Sequence, residues 1–203
     1  IWVVYLHGLD GTPTGSKAQH LRSWLEGPGR SERADLRWLA PDMQGEFPVE
    51  RLRRIEAALD TETGPTDRRL LIGSSLGGWL GAVLAARRPA LVDHAIWLVP
   101  AFDPATIPPP EPDPTPADTA RFRADAQQLP AYPATPSTPT DVIIGRDDDV
   151  VPRSHIDRWL AQHPHATAHV WPDGHRLADS LDRLEDLLGS RLSALLDSGS
   201  HDR

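Results

Sequence analysis

The stretch LLIGSSLGGWLGAVLAA, residues 70–86, sets two adjacent serines among glycines, between a short apolar run and a longer one. The first run, within RLLIGS (69–74), is short and apolar on both faces, as a buried strand is. The second, Leu76 to Arg87, has the length of a helix. The junction Gly73-Ser74-Ser75-Leu76-Gly77 therefore reads as G-x-S-x-G in the strand–turn–helix context that this pattern requires. In such a tight turn the central residue is held in strained backbone geometry. Side chains two positions to either side would collide, which calls for glycine at Gly73 and Gly77. The turn also sets Ser75 at the positive end of the following helix. Ser75 is thus the candidate nucleophile. Ser74 lacks the flanking glycine pair and is assigned to packing.

Around this junction strands and helices alternate. Strands are expected at 1–6, 36–41, 69–74, 94–100, 140–145 and 167–171, and helices at 16–26, 49–59, 76–87, 152–162 and from about 176 to 196. In 49–59 the apolar face carries Leu52, Ile55, Ala58 and Leu59, with arginines and acids elsewhere. The alternation implies α/β architecture, a doubly wound and mostly parallel sheet of about six strands with helices on both faces. Such sheets bind ligands at the carboxyl ends of their strands. One domain over 1–203 is expected, its last residues (197–203) frayed. From Ala101 to Thr140 the rhythm breaks: eleven of the chain's 21 prolines fall here. Because a strand follows directly, the segment reads as an excursion over the sheet edge, with a short helix at 117–127, that covers the active site.

Composition narrows the function. The net charge of −8 argues against nucleic acid or an anionic membrane surface as the main partner. With no cysteine, thiol nucleophiles, disulfides and thiolate metal sites are excluded. The longest apolar runs are too short to span a bilayer. No signal-peptide pattern opens the chain, so a cytoplasmic location is expected, and Ile1 lies inside an apolar run, so native residues are expected to precede it.

A serine hydroxyl needs a base, and the base a carboxylate to orient it. Of nine histidines, His175 in WPDGHRL follows the sixth strand and precedes the last helix, on the same rim as Ser75. His155 sits at a helix start, His94 begins a strand, His20 lies on the first helix and His201 in the tail. His163, His165 and His169 suggest a metal cluster, but four strand residues separate His165 from His169 by roughly 13 Å, so no metal is expected. For the carboxylate, IIGRDDDVVP places three consecutive aspartates after the fifth strand, and sequence physics does not choose among Asp147, Asp148 and Asp149. The order Ser, Asp, His is that of α/β-hydrolases. For the oxyanion, the Leu76 amide and an amide of the loop after the first strand, His7-Gly8-Leu9, are expected as donors, with Leu9 favoured. His7 and Gly8 are assigned to shaping that loop.

YLHGLDGTPTGSKA, LIGSSLGGWLGA, LVPAFDP, GRDDDVVP and DGHRL together resemble the small α/β-hydrolase serine esterases of the YqiA/YcfP-like group, over nearly the whole chain. They also fit the small serine hydrolases related to the retinoblastoma-binding hydrolase. The resemblance implies Asp148 as the acid, with Asp147 as the fallback. It implies a serine hydrolase that cleaves small carboxylic esters or thioesters through an acyl-enzyme, without a cofactor. A peptidase or amidase with the same triad, and a non-catalytic binding protein on this scaffold, are the alternatives. The proline-rich 101–140 segment departs from the family and is expected to line the acyl pocket.

Overall fold

The computed structural model describes residues 1–30, 35–108, 115–135 and 138–199. Six strands run β1 (Trp2–Leu6), β2 (Arg37–Leu39), β3 (Arg69–Ser74), β4 (His94–Leu98), β5 (Thr140–Gly145) and β6 (Thr167–Trp171). They form one sheet in the order β2-β1-β3-β4-β5-β6, with every pairing parallel. The helices are α1 (Ser16–Glu26), α2 (Pro48–Glu62), α3 (Leu76–Arg87), α4 (Pro116–Ala126), α5 (Arg153–Leu160) and α6 (Leu181–Gly199).

The strand residues alternate between two cores. Trp2, Val4 and Leu6 join α2, α3 and α5 on one face, whereas Val3 and Tyr5 join α1 and α6 on the other. Helix α3 is buried from Leu76 through Ala85, which explains why its sequence shows no polar stripe. After β1 the chain moves outward to β2, then returns to place β3 on the other side of β1. The carboxyl ends of β1 and β3 flank this reversal, where open α/β sheets form their ligand crevice.

Several boundaries differ from those expected. The fourth strand ends at Leu98, because Val99 adopts φ 42° and turns the chain away. The last helix starts at Leu181, not near Arg176. Leu177 has φ 51°, and the Asp173 carboxylate holds the Gly174 and Asp179 amides, so a loop and a single 3-10 turn (Ala178–Ser180) precede the helix. Helix α6 continues through Gly199, so 197–199, expected to be frayed, are helical; the rest of the expected tail, 200–203 with His201, lies outside the described residues.

The proline-rich excursion is anchored at several points. Asp125 of α4 accepts a bond from the Val49 amide in the first turn of α2 (2.8 Å). The indoles of Trp79 and Trp159 donate to the Pro130 and Pro133 carbonyls (2.9 and 2.8 Å). Its residues 109–114 and 136–137 fall outside the described set. Among the described residues no helix is long and apolar enough to cross a membrane.

Candidate active site

Ser75 connects β3 to α3 at φ 53° and ψ −116°, a backbone region that costs a non-glycine residue energy and persists only under outside constraint. The constraint is visible. The Ser75 amide donates to the Leu98 carbonyl (2.9 Å), and its carbonyl accepts from Gly78 and Ala101 (both 3.0 Å). At the flanking glycines the close contacts are with backbone: a Cβ on Gly73 would lie 2.5 Å from the Gly77 carbonyl oxygen, and one on Gly77 would overlap the Leu6 carbonyl.

His175 arrives from the loop after β6. Its Nε2 lies 3.1 Å from Ser75 Oγ and its Nδ1 2.9 Å from Asp148 Oδ2. An ionised carboxylate only accepts, so Nδ1 carries the proton and donates to Asp148, and Nε2 is left to accept from the Ser75 hydroxyl. Side-chain exposure is 19% for His175 and 5% for Asp148. Asp148 Oδ1 also accepts from the Val150 and Val151 amides (2.9 and 3.0 Å). Burial by itself would raise this carboxyl, but the bonds from His175, Val151 and Val150 outweigh it and hold it below the ordinary carboxylate range.

Of the three aspartates the structure thus brings Asp148 to the histidine. Asp147 is exposed beside Arg146, and Asp149 is exposed at the cleft mouth. The selection is made by the β5 exit loop, which is bonded to the histidine loop through Arg146 N to Trp171 O and Asp147 N to Asp173 O. Gly145 allows this contact, since a Cβ there would lie 2.8 Å from the Gly174 carbonyl oxygen.

The loop after β1 faces the serine. A Cβ on Gly8 would come within 3.4 Å of Ser75 Cβ. His7 is 1% exposed; its Nδ1 donates to the Gly8 carbonyl (2.9 Å) and its Nε2 accepts from the Met43 amide (3.1 Å). Burial, the largest influence, lowers its pKa, which keeps the ring neutral and structural. Neither the Leu9 nor the Leu76 amide donates to a protein acceptor among the described residues.

One residue of this site was missed in the sequence. Arg51, expected on the solvent side of α2, is 1% exposed. Its guanidinium donates to the carbonyls of Gly8 (3.1 Å), Leu9 (2.9 Å) and Glu46 (2.8 Å). A peptide unit is planar and trans, so fixing the Gly8 carbonyl also fixes the direction of the Leu9 N–H on the same unit. The available signal was its register: Pro48, Arg51, Leu52, Ile55 and Leu59 form one buried stripe.

The cleft over these residues has a volume of about 1350 Å³. Its walls include Leu9, Phe47 and Ala101, and from the excursion Pro104, Ile107 and Phe122. The three histidines weighed as a metal cluster bond other groups: His163 accepts from the Thr135 amide, His165 donates to the Thr135 carbonyl, and His169 bonds Asp141. Away from the cleft, His20 of α1 and Asp182 and Glu185 of α6 place ligand-type atoms within 4.8 Å of one another, on a partly exposed surface.

The parallel six-stranded sheet, with its serine on a strand–helix turn, carries the α/β-hydrolase fold. The chain belongs to the uncharacterised protein family UPF0227, whose model matches residues 2–188. Among solved structures it is similar to Est1E from Butyrivibrio proteoclasticus with ferulic acid bound (TM-score 0.79, 16% identity, covering 97% of this chain and 89% of that one). It is also similar to the alpha/beta hydrolase domain-containing protein 10 from mouse (TM-score 0.76, 18% identity, 97% and 90% covered). A meta-cleavage product hydrolase from Pseudomonas fluorescens aligns at TM-score 0.67 and 20% identity, with 96% and 91% covered. At these identities the likeness is one of fold. Curated proteins give no match to the sequence.

Proposed function

We propose that the protein is a serine hydrolase that cleaves small carboxylic esters or thioesters. The observation that carries this reading is the continuous relay from Ser75 Oγ to His175 Nε2 (3.1 Å) and from His175 Nδ1 to Asp148 (2.9 Å), with Ser75 and His175 lining the cleft.

In the first half-reaction Ser75 Oγ bonds to the substrate carbonyl carbon while His175 Nε2 takes the hydroxyl proton. Asp148 holds the ring in the required tautomer and balances the imidazolium charge. The Leu9 and Leu76 amides stabilise the oxyanion, and one such donor is worth about 3 kcal/mol. As the intermediate collapses, the carbon–oxygen or carbon–sulfur bond to the leaving group breaks, and His175 passes its proton to that group. Water then attacks the acyl-enzyme and gives a proton to His175. The carboxylic acid departs, and the proton returns to Ser75. The chemistry needs no cofactor.

A fluorophosphonate probe tests this directly. Wild type should be labelled covalently, while Ser75→Ala stays unlabelled and His175→Ala reacts slower by several orders of magnitude. Equal labelling of wild type and Ser75→Ala, in folded samples, refutes the assignment. A panel of acyl esters, thioesters and amides then separates esterase from amidase action.

A further inference from the structure

Lys17 is a cation in the cleft for which the hydrolytic relay has no use. It stands in the first turn of α1, and Gly15, Ser16, Lys17 and Ala18 all line the cleft wall. That end of a helix is already positive, and α1 has neither an acidic residue in its first turn nor a side-chain cap. The ammonium group donates to Ser74 Oγ (3.2 Å), a hydroxyl next in sequence to the nucleophile. No carboxylate lies within 4.0 Å of it among the described residues. The acid that influences it is Asp173, beyond ion-pair distance, whose two carboxylate oxygens accept from the Gly174 and Asp179 amides. Burial, the largest influence, pulls the Lys17 pKa down to about 8, against the pull of Asp173.

The two sides of the cleft differ. Leu9, Ala101, Ile107 and Phe122 belong to or pack on the core beneath α2, α3 and α5. Across the sheet's carboxyl edge, on the α1 side, lie Tyr5, Lys17, Ser74 and Asp173. Ser75 stands between an apolar wall and one with an unpaired ammonium group. The chain's net charge of −8 supplies no long-range attraction for anions, so recognition there must come from short-range pairing.

We propose that Lys17 binds an anionic group of the substrate, a carboxylate or a phosphate, so that the preferred substrates are esters or thioesters with such a group on one side of the scissile bond and an apolar portion on the other. This deepens the hydrolase reading and rests on it for the reaction. Charge-assisted pairing at such a site changes selectivity by about ten- to a hundredfold.

Matched substrates test the proposal. The p-nitrophenyl hemiester of succinate against p-nitrophenyl butyrate places the charge on the acyl side; 4-carboxyphenyl butyrate against phenyl butyrate places it on the alcohol side. In one pair, wild type should favour the anionic member at least tenfold in kcat/KM. Lys17→Met should reduce that ratio at least tenfold, and Lys17→Arg should retain most of it. No preference for an anion in either pair, or a Lys17→Met variant whose ratio is unchanged, overturns the proposal. If Lys17→Met does not fold, Lys17→Gln and the wild-type ratio decide. Calorimetric titration of Ser75→Ala with succinate and inorganic phosphate supplies a readout without turnover. Binding of either anion should disappear in Ser75→Ala/Lys17→Met, and failure of both to bind Ser75→Ala counts against the anion site. Absent fluorophosphonate labelling counts against the hydrolase reading, so the two failures are distinguishable.

Discussion

Replacing Asp148 by Asn should remove activity while leaving the fold nearly untouched. The Asn side chain can turn its carbonyl oxygen to the Val150 and Val151 amides, where Asp148 Oδ1 now accepts at 2.9 and 3.0 Å. Its NH2 group then faces His175 Nδ1, where Oδ2 now accepts at 2.9 Å. An amide donates, so Nδ1 must become the bare nitrogen and the proton moves to Nε2. There it points at Ser75 Oγ, 3.1 Å away, and the ring can no longer take the hydroxyl proton. The expected loss is of order 10⁴-fold, about 5.4 kcal/mol at 1.36 kcal/mol per decade. Stability should fall by only about 1–2 kcal/mol, the difference between charged and neutral hydrogen bonds. Asp148→Ala behaves differently: it also strands the Val150 and Val151 amides and should lose roughly 2 kcal/mol or more. Because the Asp148 carboxyl is held below its ordinary range, its contribution to stability is present above about pH 4 and fades as the pH falls through the lowered value. The assay is the second-order rate of fluorophosphonate labelling at pH 8, which needs no known substrate, alongside calorimetric unfolding. Asp147→Asn and Asp149→Asn serve as controls. An Asp148→Asn enzyme that keeps a tenth of the wild-type labelling rate, or a larger loss at either neighbour, refutes the reasoning.

Two other outcomes follow from charged groups in the fold. Arg51→Met removes three bonds to the Gly8, Leu9 and Glu46 carbonyls; with the Leu9 amide no longer aimed, kcat should drop about ten- to a hundredfold, a fraction of one oxyanion donor's worth, with KM changed less than threefold. A variant with full kcat and a lowered Tm would make Arg51 a purely structural group. Asp141, 1% exposed, accepts from Arg191 (2.6 and 2.8 Å), His94 and His169 (2.7 Å each). Burial would raise its carboxyl, but these partners together hold it far below the usual range, so Asp141→Asn should cost about 3 kcal/mol at neutral pH. The cost should shrink below about pH 4, where the unfolded carboxylate protonates first; a gap that stays constant from pH 7 to pH 3 contradicts the assignment.

The sheet was legible because its information is local. The strands 69–74 and 140–145 are built around the compact apolar runs LLI and VII, and the alternation with helices leaves few topologies. Ser75 and His175 were legible for a related reason: both stand at strand ends, and a parallel sheet brings all such ends to one rim. Choosing among three aspartates was another matter. The choice depends on bonds between the loops after β5 and β6, and on the space left by Gly145, none of which is written in the run of three acids. The late start of α6 has the same origin, since Asp173 holds back a segment whose leucine spacing alone suggests helix.

Arg51 and Lys17 mark a different boundary. Both are charges placed against a local rule: Arg51 on the apolar stripe of α2, and Lys17 at the positive end of α1 with no acid in that first turn. Read singly, each looks like noise in an amphipathic pattern, since solvent-facing charges are the commoner case. The three-dimensional arrangement separates them from that background. Arg51 has three backbone carbonyls around its guanidinium, two of them in the loop that faces Ser75. Lys17 has a hydroxyl adjacent to the nucleophile and no counter-ion. A charge that breaks helix patterning costs stability unless something compensates it. Arg51 finds its compensation within the chain, as a satisfied donor. Lys17 does not, and the missing partner is the reason to look for it in the substrate.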